Sequence, residues 1–419
     1  MFRGYDIRGV YGTEVTDEKF TALGRAMAAF SKEVVASRDY RDSSKKLLAA
    51  FCAGFPGKVL DMGNAPTPAV SFNATKWGIA FTPSHNPAEY AGAKLVHGRR
   101  MASEAELKAV EKEWERQVQA KEGKQSGTRE TEAAKGEVID SPGLLAAYVD
   151  SIPEMGSAIF DLGGGSACSV KQLFGKRIFD APDPKFEKHS PEPTDGTLGE
   201  LKRMTVKEHA LGLAFDGDGD RCMAAAGGRV IDGGMMAAFL CENHFKKNDR
   251  IVINIDFTDE VKYYLADAGF RVSVCAVGTT NVVTAVLKEN AALGAERNGH
   301  YYFPHHVPDS DGIYAAALFS QANPAEVLEF AARFKNVMLT QAIGGKADFT
   351  KLKEMLGRDE SVLETNLLDG VYVRFEDFTL LIRESKTEPK VRINSEGKNK
   401  ENALKGMEKA KELLKKAAI

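Results

Sequence analysis

Three aspartates stand on alternating positions in Phe215-Asp-Gly-Asp-Gly-Asp-Arg221, directly after the apolar run 211–215. The two intervening glycines let the backbone fold tightly, so Asp216, Asp218 and Asp220 can converge on one hard divalent cation. Without a cation such neighbouring carboxylates repel one another, which disfavours a plain solvated turn. An EF-hand loop opens in the same way, but it needs Gly at its sixth position and Glu at its twelfth. This chain has Arg221 and Gly227 there. Arg221, next to the acidic cluster, suits a phosphate or a sugar hydroxyl held beside the metal.

Thr82-Pro-Ser-His-Asn-Pro87 places a hydroxyl, an imidazole and an amide between two prolines, after the apolar residues 79–81. A covalent phosphate carrier needs this kind of rigid presentation of Ser84, although the same residues also make a turn that satisfies its own backbone. The stretch Arg383-Glu-Ser-Lys-Thr-Glu-Pro-Lys-Val-Arg392 offers two arginines, two hydroxyls and two lysines. These donors can surround a phosphate that is not being transferred, or simply form a polar hairpin loop. In Ala295-Glu-Arg-Asn-Gly-His-Tyr-Tyr-Phe303 a carboxylate and an amide suit sugar hydroxyls. His300 is either a proton carrier or a structural histidine ahead of an aromatic strand. No GxxxxGK[ST] motif occurs, which argues against a P-loop enzyme, and Gly163-Gly-Gly165 lacks GxGxxG spacing and reads as a tight turn.

Short apolar runs that end in Gly- or Asp-rich loops alternate with helical patterns, which predicts an α/β architecture. Runs 58–63 and 78–82, 158–163 and 211–215, and 251–256 and 271–277 form three pairs, a weak threefold repeat. Loops at the carboxyl ends of such strands gather ligands, so three units would face one shared cleft. Residues 104–135 are charged and helix-prone, with 121–135 resembling a solvated linker. Ser141 reads as the cap of a helix that starts at Pro142. The last ~75 residues change character, with strands at 370–375, 378–382 and 390–394 and a lysine-rich helix from about residue 400. The predicted domains are 1–141, 142–242, 243–345 and a smaller α+β domain at 346–419.

A chain of 419 residues exceeds what one hydrophobic core usually serves, and its 43% hydrophobic and 27% charged residues are ordinary for a globular protein. The net charge of −3 argues against broad attraction to nucleic acid or anionic membrane. No apolar run approaches the ~20 residues of a membrane span, and no leader-like segment opens the chain. Cys52, Cys168, Cys222, Cys241 and Cys275 are scattered, with no CxxC pair, so free thiols in a reducing cytoplasm are expected.

In this order, the loops resemble those of the α-D-phosphohexomutase superfamily, and its phosphomannomutase/phosphoglucomutase branch in particular. The resemblance runs from Phe2-Arg-Gly-Tyr-Asp-Ile-Arg-Gly9 to Arg392. It includes Arg38-Asp-Tyr-Arg-Asp-Ser-Ser44, the 82–87 loop, Lys94, His189-Ser-Pro-Glu-Pro193, the acidic loop, residues 296–300, Asp311-Gly-Ile313 and the 383–389 loop. It implies three similar mixed-sheet α/β domains and a C-terminal α+β domain of the TATA-box-binding-protein-like type around a central cleft.

The resemblance further implies that Ser84 is phosphorylated and that its phosphate, Asp216, Asp218 and Asp220 ligate Mg2+. Lys94 and His300 become alternative proton carriers. Tyr5, Arg8, His85 and Arg221 would line the centre, Glu296 and Asn298 would grip sugar hydroxyls, and Arg383, Ser385, Thr387 and Arg392 would hold the distal phosphate. The implied activity interconverts hexose 6-phosphate and hexose 1-phosphate, with glucose or mannose 1,6-bisphosphate as activator, in a monomer or homodimer. Asn-Gly-His at 298–300 is similar to the acetylglucosamine-phosphate mutases, so amino-sugar phosphates are the alternative substrates. Glu384 and Lys386 depart from the usual phosphate loop, and Glu384 adds a negative charge beside an expected phosphate. The competing readings are a haloacid-dehalogenase-type phosphatase with Asp216 as nucleophile, and a non-catalytic sugar-phosphate binder.

Overall fold

The strand Trp77–Phe81 is buried at every position, so both of its faces must be covered. In the computed structural model, which describes residues 1–122, 136–385 and 390–417, it lies inside an eight-stranded mixed sheet. On one side it pairs in parallel with Glu33–Arg38, which continues in parallel to Lys58–Asn64 and then to Glu137–Asp140. On the other side Tyr90–His97 runs antiparallel and leads to Asp6–Val10. The helices Asp17–Met27 and Asp42–Gly54 pack together and bury Phe20, Leu23, Leu47 and Phe51 in the core of this unit.

The pattern of two parallel pairings followed by two antiparallel ones recurs twice. The second sheet runs Lys176–Ile178, Ile159–Asp161, Gly212–Phe215, Cys222–Ala226, Arg229–Ile231. The third runs Arg271–Cys275, Arg250–Asn254, Leu293–Ala295, Tyr301–Phe303, Val307–Ser310. The threefold repeat is therefore present, but the paired runs read from the sequence were out of phase, each taking a different two of the three parallel strands in its unit. The strands passed over were Glu33–Arg38, Lys176–Ile178 and Leu293–Ala295. Lys176–Ile178 is three residues long and mostly exposed, and Leu293–Ala295 is equally short, so neither carries an apolar run.

In the correct phase the repeat places the chemistry. The third parallel strand of each unit ends in a functional loop: Trp77–Phe81 in the serine loop, Gly212–Phe215 in the aspartate loop, and Leu293–Ala295 in the 296–300 loop.

The fourth sheet is wholly antiparallel, in the order Val337–Gly344, Lys390–Gly397, Phe378–Glu384, Val371–Arg374, Glu364–Asn366. The helices Phe349–Gly357 and Lys400–Lys416 bury Leu352, Leu356, Met407 and Leu413 against it. Because Val337–Gly344 belongs to this sheet, we draw the last domain division ahead of residue 337 rather than at 345. Sheets two and three share one continuous core, which also takes in Ala69 and Val70 from the first unit. The C-terminal unit has a core of its own. It meets the third unit through Ile255, Tyr372 and Leu381 and through polar contacts such as Asp259 N–H to Glu396 Oε2 at 2.7 Å.

The charged helix spans Glu104–Glu122, and the expected linker beyond it lies outside the described residues. Ser141 precedes the helix Pro142–Asp150 as expected but does not cap it with its side chain, which donates instead to Ile139 O at 3.0 Å. Among the described residues no helix is long and apolar enough to cross a membrane.

Candidate active site

Ser84 adopts a left-handed backbone conformation, φ +58°, which costs a non-glycine residue about 1–3 kcal/mol and must be imposed by its surroundings. The surroundings are identifiable. Thr82 Oγ1 accepts the Ser84 N–H at 2.9 Å and donates to Asp39 Oδ2 at 2.8 Å. The Arg41 guanidinium donates to Ser84 O from both terminal nitrogens at 3.3 Å and also to Asn86 O. Arg41 is in turn held by Asp39 at 2.6 Å and lies 4.6 Å from the centre of the Phe186 ring. The Ser84 hydroxyl is thereby set 3.3 Å from Asp216 Oδ2 and 3.3 Å from His85 Nδ1.

Asp216, Asp218 and Asp220 are each at most 4% exposed, and one oxygen from each lies within 4.8 Å of the others. Gly219 N–H and Arg221 N–H donate to Asp216 Oδ1 at 3.0 and 3.2 Å, which fixes the turn. Lys94 Nζ donates to Asp218 Oδ2 at 2.7 Å and to Asp220 Oδ2 at 2.6 Å, and Thr67 donates to Asp218 Oδ2 at 2.5 Å. Burial, followed by the charges of Asp220 and Asp218, pushes the Asp216 carboxyl well above the usual range. Burial would also raise Asp220, but Lys94 and His300 outweigh it and hold this carboxyl well below its ordinary value. Asp218 Oδ1 is buried and accepts no hydrogen bond among the described residues, and the buried Asp220 Oδ1 has His300 Nε2 at 3.4 Å. Convergent carboxylates with buried oxygens in want of positive charge fit a hard divalent cation such as magnesium.

The titratable groups around this cluster are tightly interlocked. Burial would lower the Lys94 ammonium, but Asp218 and Asp220 outweigh it and raise the group above its ordinary value. The His85 ring is held well below its ordinary value by burial and then by Arg221, Arg8 and Lys94, so it stays neutral. Arg221 reaches both histidines, with its terminal nitrogen 2.9 Å from His85 Nδ1 and its Nε donating to His300 Nε2 at 3.3 Å. His300 Nε2 also lies 3.4 Å from Asp220 Oδ1, and His300 Nδ1 lies 2.9 Å from Asn298 Oδ1. Arg8 donates to Asn86 Oδ1 at 3.1 Å.

The 296–300 loop is joined to the aspartate loop by a backbone bridge between Arg221 and His300 and by Cys222 N–H to Gly299 O at 2.9 Å. Glu296 is buried and accepts from Tyr302 OH at 2.6 Å, Asn254 Nδ2 at 2.8 Å and Gly278 N–H at 3.3 Å. Across the cleft, Arg383 and Arg392 sit directly opposite each other on neighbouring strands. Facing like charges destabilise a sheet unless an anion relieves them. Strand alternation resolves the apparent conflict at Glu384: it points away from Arg383, is exposed, and does not line the cleft.

A cleft of about 720 Å3 collects these residues. Tyr5, Arg8, Ser84, His85, Lys94, Asp220, Arg221, Glu296, Asn298 and His300 line it, with Arg383, Ser385 and Arg392 on the C-terminal side. Asp216 and Asp218 are not among its lining residues. Thr387 and Lys386 lie outside the described residues. The sequence reading assigned no role to Asp39, Arg41, Thr67 or Asn254. Arg41 and Asp39 belong to a stretch noted only for its resemblance, and their position directly after the strand Glu33–Arg38 was the available signal.

Known proteins resemble this chain along its whole length. Residues 1–121 match the family model "Phosphoglucomutase/phosphomannomutase, alpha/beta/alpha domain I", and residues 233–329 match the corresponding model for domain III. A probable phosphoglucosamine mutase of Methanocella arvoryzae is 30% identical over 447 residues, covering 99% of this chain and 98% of that protein. A phosphoglucomutase/phosphomannomutase of Thermococcus kodakarensis is 28% identical over 456 residues, covering 100% and 99%. The crystal structure of a phosphoglucomutase/phosphomannomutase family protein from Burkholderia thailandensis superposes with a TM-score of 0.83 at 23% identity, over 99% of this chain and 96% of that one. With four sheets around one cleft, the repeat that carries its loops, and full-length similarity to such relatives, the chain belongs to the α-D-phosphohexomutase superfamily of phosphoryl-transferring mutases.

Proposed function

We propose that this protein moves a phosphoryl group between C6 and C1 of a hexose phosphate by way of phosphorylated Ser84 and a hexose 1,6-bisphosphate intermediate. The observation that carries this reading is the position of the Ser84 hydroxyl, 3.3 Å from Asp216 Oδ2, in a cleft whose C-terminal wall presents Arg383 and Arg392. In the first half-reaction the bond between Ser84 Oγ and phosphorus breaks and a bond from a sugar oxygen to phosphorus forms. The proton of that sugar hydroxyl passes to His300, whose Nε2 accepts from Arg221 and so carries a lone pair, while the departing Ser84 Oγ takes up a proton. Lys94, the other proton carrier expected from the sequence, is held as an ammonium by Asp218 and Asp220 and serves as a donor. The bisphosphorylated sugar then turns round and its other phosphate restores phosphorylated Ser84. A magnesium ion on Asp216, Asp218 and Asp220 would neutralise charge on the transferring group. Arg383, Ser385 and Arg392, with Thr387 from the sequence, hold whichever phosphate is not reacting. The C-terminal domain keeps water from the phosphoenzyme when it is seated.

The sugar has two readings. The phosphomannomutase/phosphoglucomutase reading follows from the order of the motifs. Glucosamine phosphate is favoured by the name of the 30% identical relative and by the carboxylates of Glu89 and Glu192 along the cleft, which suit a protonated amine at C2.

The test is a coupled assay with magnesium and a trace of glucose 1,6-bisphosphate, offering glucose, mannose, glucosamine and N-acetylglucosamine 1-phosphates side by side. Turnover of one or two is expected from the wild type and none from Ser84→Ala. Near-normal turnover by Ser84→Ala would sink the phosphoserine mechanism. No turnover of any sugar by a wild type shown to be phosphorylated at Ser84 would point to a non-catalytic binder or a different sugar phosphate.

A further inference from the structure

Three parts of the fold meet at the two successive peptides on either side of the Val277 Cα. From the C-terminal domain, Asp369 Oδ2 accepts the Val277 N–H at 3.0 Å. From the first unit, Tyr5 OH donates to Val277 O at 2.9 Å. From the 296–300 loop, Glu296 Oε2 accepts the Gly278 N–H at 3.3 Å. The approach is too close for a side chain: Gly278 has φ +123°, and a Cβ there would lie 2.2 Å from the Tyr5 hydroxyl. The Val277 side chain packs on Ile255, Tyr372 and Leu381, the apolar patch between the third and fourth sheets.

Asp369 is in turn tied to the distal phosphate side. It precedes Gly370, φ +73°, where a Cβ would meet Ile382 O at 2.2 Å and Arg383 Cα at 2.8 Å. The next residue, Val371, pairs with Ile382. Displacement of the strand that carries Arg383 therefore displaces Asp369.

We propose that Asp369 is a positioning residue for phosphoryl transfer, coupling the seating of the phosphate-holding domain to the orientation of Glu296 and Tyr5 through the two peptides that flank Val277. The inference rests on the mutase reading above. A carboxylate on a backbone N–H makes a charge-assisted bond, here on the 276–277 peptide, while the Tyr5 and Glu296 bonds share the 277–278 peptide and reinforce each other. When the C-terminal domain lifts away, Val277 N–H loses its acceptor, the 276–277 peptide is free to tilt, and the rotation at Val277 is passed to the 277–278 peptide. Glu296 then keeps Asn254 and Tyr302 but loses the fixed direction of its third donor. Full grip on the sugar thus goes with a seated distal phosphate.

The test compares wild type, Asp369→Ala, Asp369→Asn, Glu296→Gln and the double variant D369A/E296Q in the coupled assay, with melting temperature recorded for each. Asp369→Ala is expected to lower kcat by about 10- to 100-fold, the cost of small misplacement at a reacting centre. Asp369→Asn restores most of the loss, because its side-chain oxygen still accepts the Val277 N–H. The double variant should be no worse than Glu296→Gln alone to within about twofold, the usual margin of additivity. Multiplying losses would overturn the proposal, as would an unchanged kcat per folded molecule with only a lowered melting temperature. A wild type that turns over no sugar overturns the mutase reading and the positioning role with it. Normal wild-type turnover with an unaffected Asp369→Ala overturns the positioning role alone.

Discussion

Lys94 Nζ lies 2.6 Å from Asp220 Oδ2, and the same ammonium donates to Asp218 at 2.7 Å. The charge that balances the buried acidic cluster in this structure thus comes from a residue that the sequence offered as a proton carrier, and that pairing holds it in its protonated form. An ammonium and a divalent cation on the same carboxylates compete for the same negative charge.

Replacing Lys94 tests that competition. Lys94→Met leaves the cluster without its cation, and removing one partner of a buried ion pair typically costs about 3–5 kcal/mol. In the presence of a chelator the variant is expected to melt well below wild type. Magnesium should then raise its melting temperature more than it raises that of wild type, while turnover stays at least about 100-fold reduced. Equal magnesium shifts in the two proteins would show that the ammonium and the metal do not share these oxygens.

Arg41 is expected to matter as much as residues in the cleft, although it binds no substrate. Its fork spans Ser84 O and Asn86 O while pairing with Asp39, a geometry that the point charge of lysine does not reproduce. Arg41→Lys should lower turnover by roughly 10- to 100-fold with little change in KM, because Ser84 relaxes from its strained backbone. Steady-state kinetics, combined with intact-mass measurement of phosphorylation at Ser84, decide the point; unchanged kcat rejects the role.

Asp309 gives a pH-dependent stability. It is fully buried behind the aspartate loop, and burial pushes its carboxyl up to about 7, against the opposing hydrogen bonds from Ser71 Oγ and Ser310 N–H. A carboxyl raised on folding contributes stability that is complete below its unfolded value of 3.8 and is lost as the pH climbs through the folded value. Asp309→Asn removes that titration. The stability of wild type relative to the variant should fall by about 3 kcal/mol between pH 5 and pH 8, two units at about 1.4 kcal/mol each. Denaturant melts of the metal-free proteins at both pH values measure it, and a pH-independent difference would mean that Asp309 does not titrate there.

What was legible in the sequence is what lies close together along the chain. Asp216, Asp218 and Asp220 could be read because glycines at every second position allow one tight turn, and all three carboxylates do converge. The strands at Val371–Arg374, Phe378–Glu384 and Lys390–Gly397 stood out because their apolar alternation lies between polar turns. The phase of the repeat did not stand out, because Lys176–Ile178 and Leu293–Ala295 are too short to show a period.

By itself the sequence determined the type of chemistry: a hydroxyl on a rigid loop, three carboxylates for a cation, and donors for a phosphate. Only the tertiary structure decided how these are held. Arg41 and Ser84 are 43 residues apart, Lys94 and Asp220 are 126 apart, and Tyr5 and Val277 are 272 apart. No local pattern encodes such pairs, because each forms only when elements far apart in the chain fold onto the same cleft. The charge on Glu384 shows the same limit in the other direction: composition placed it beside a phosphate, and the alternation of a paired strand turned it away.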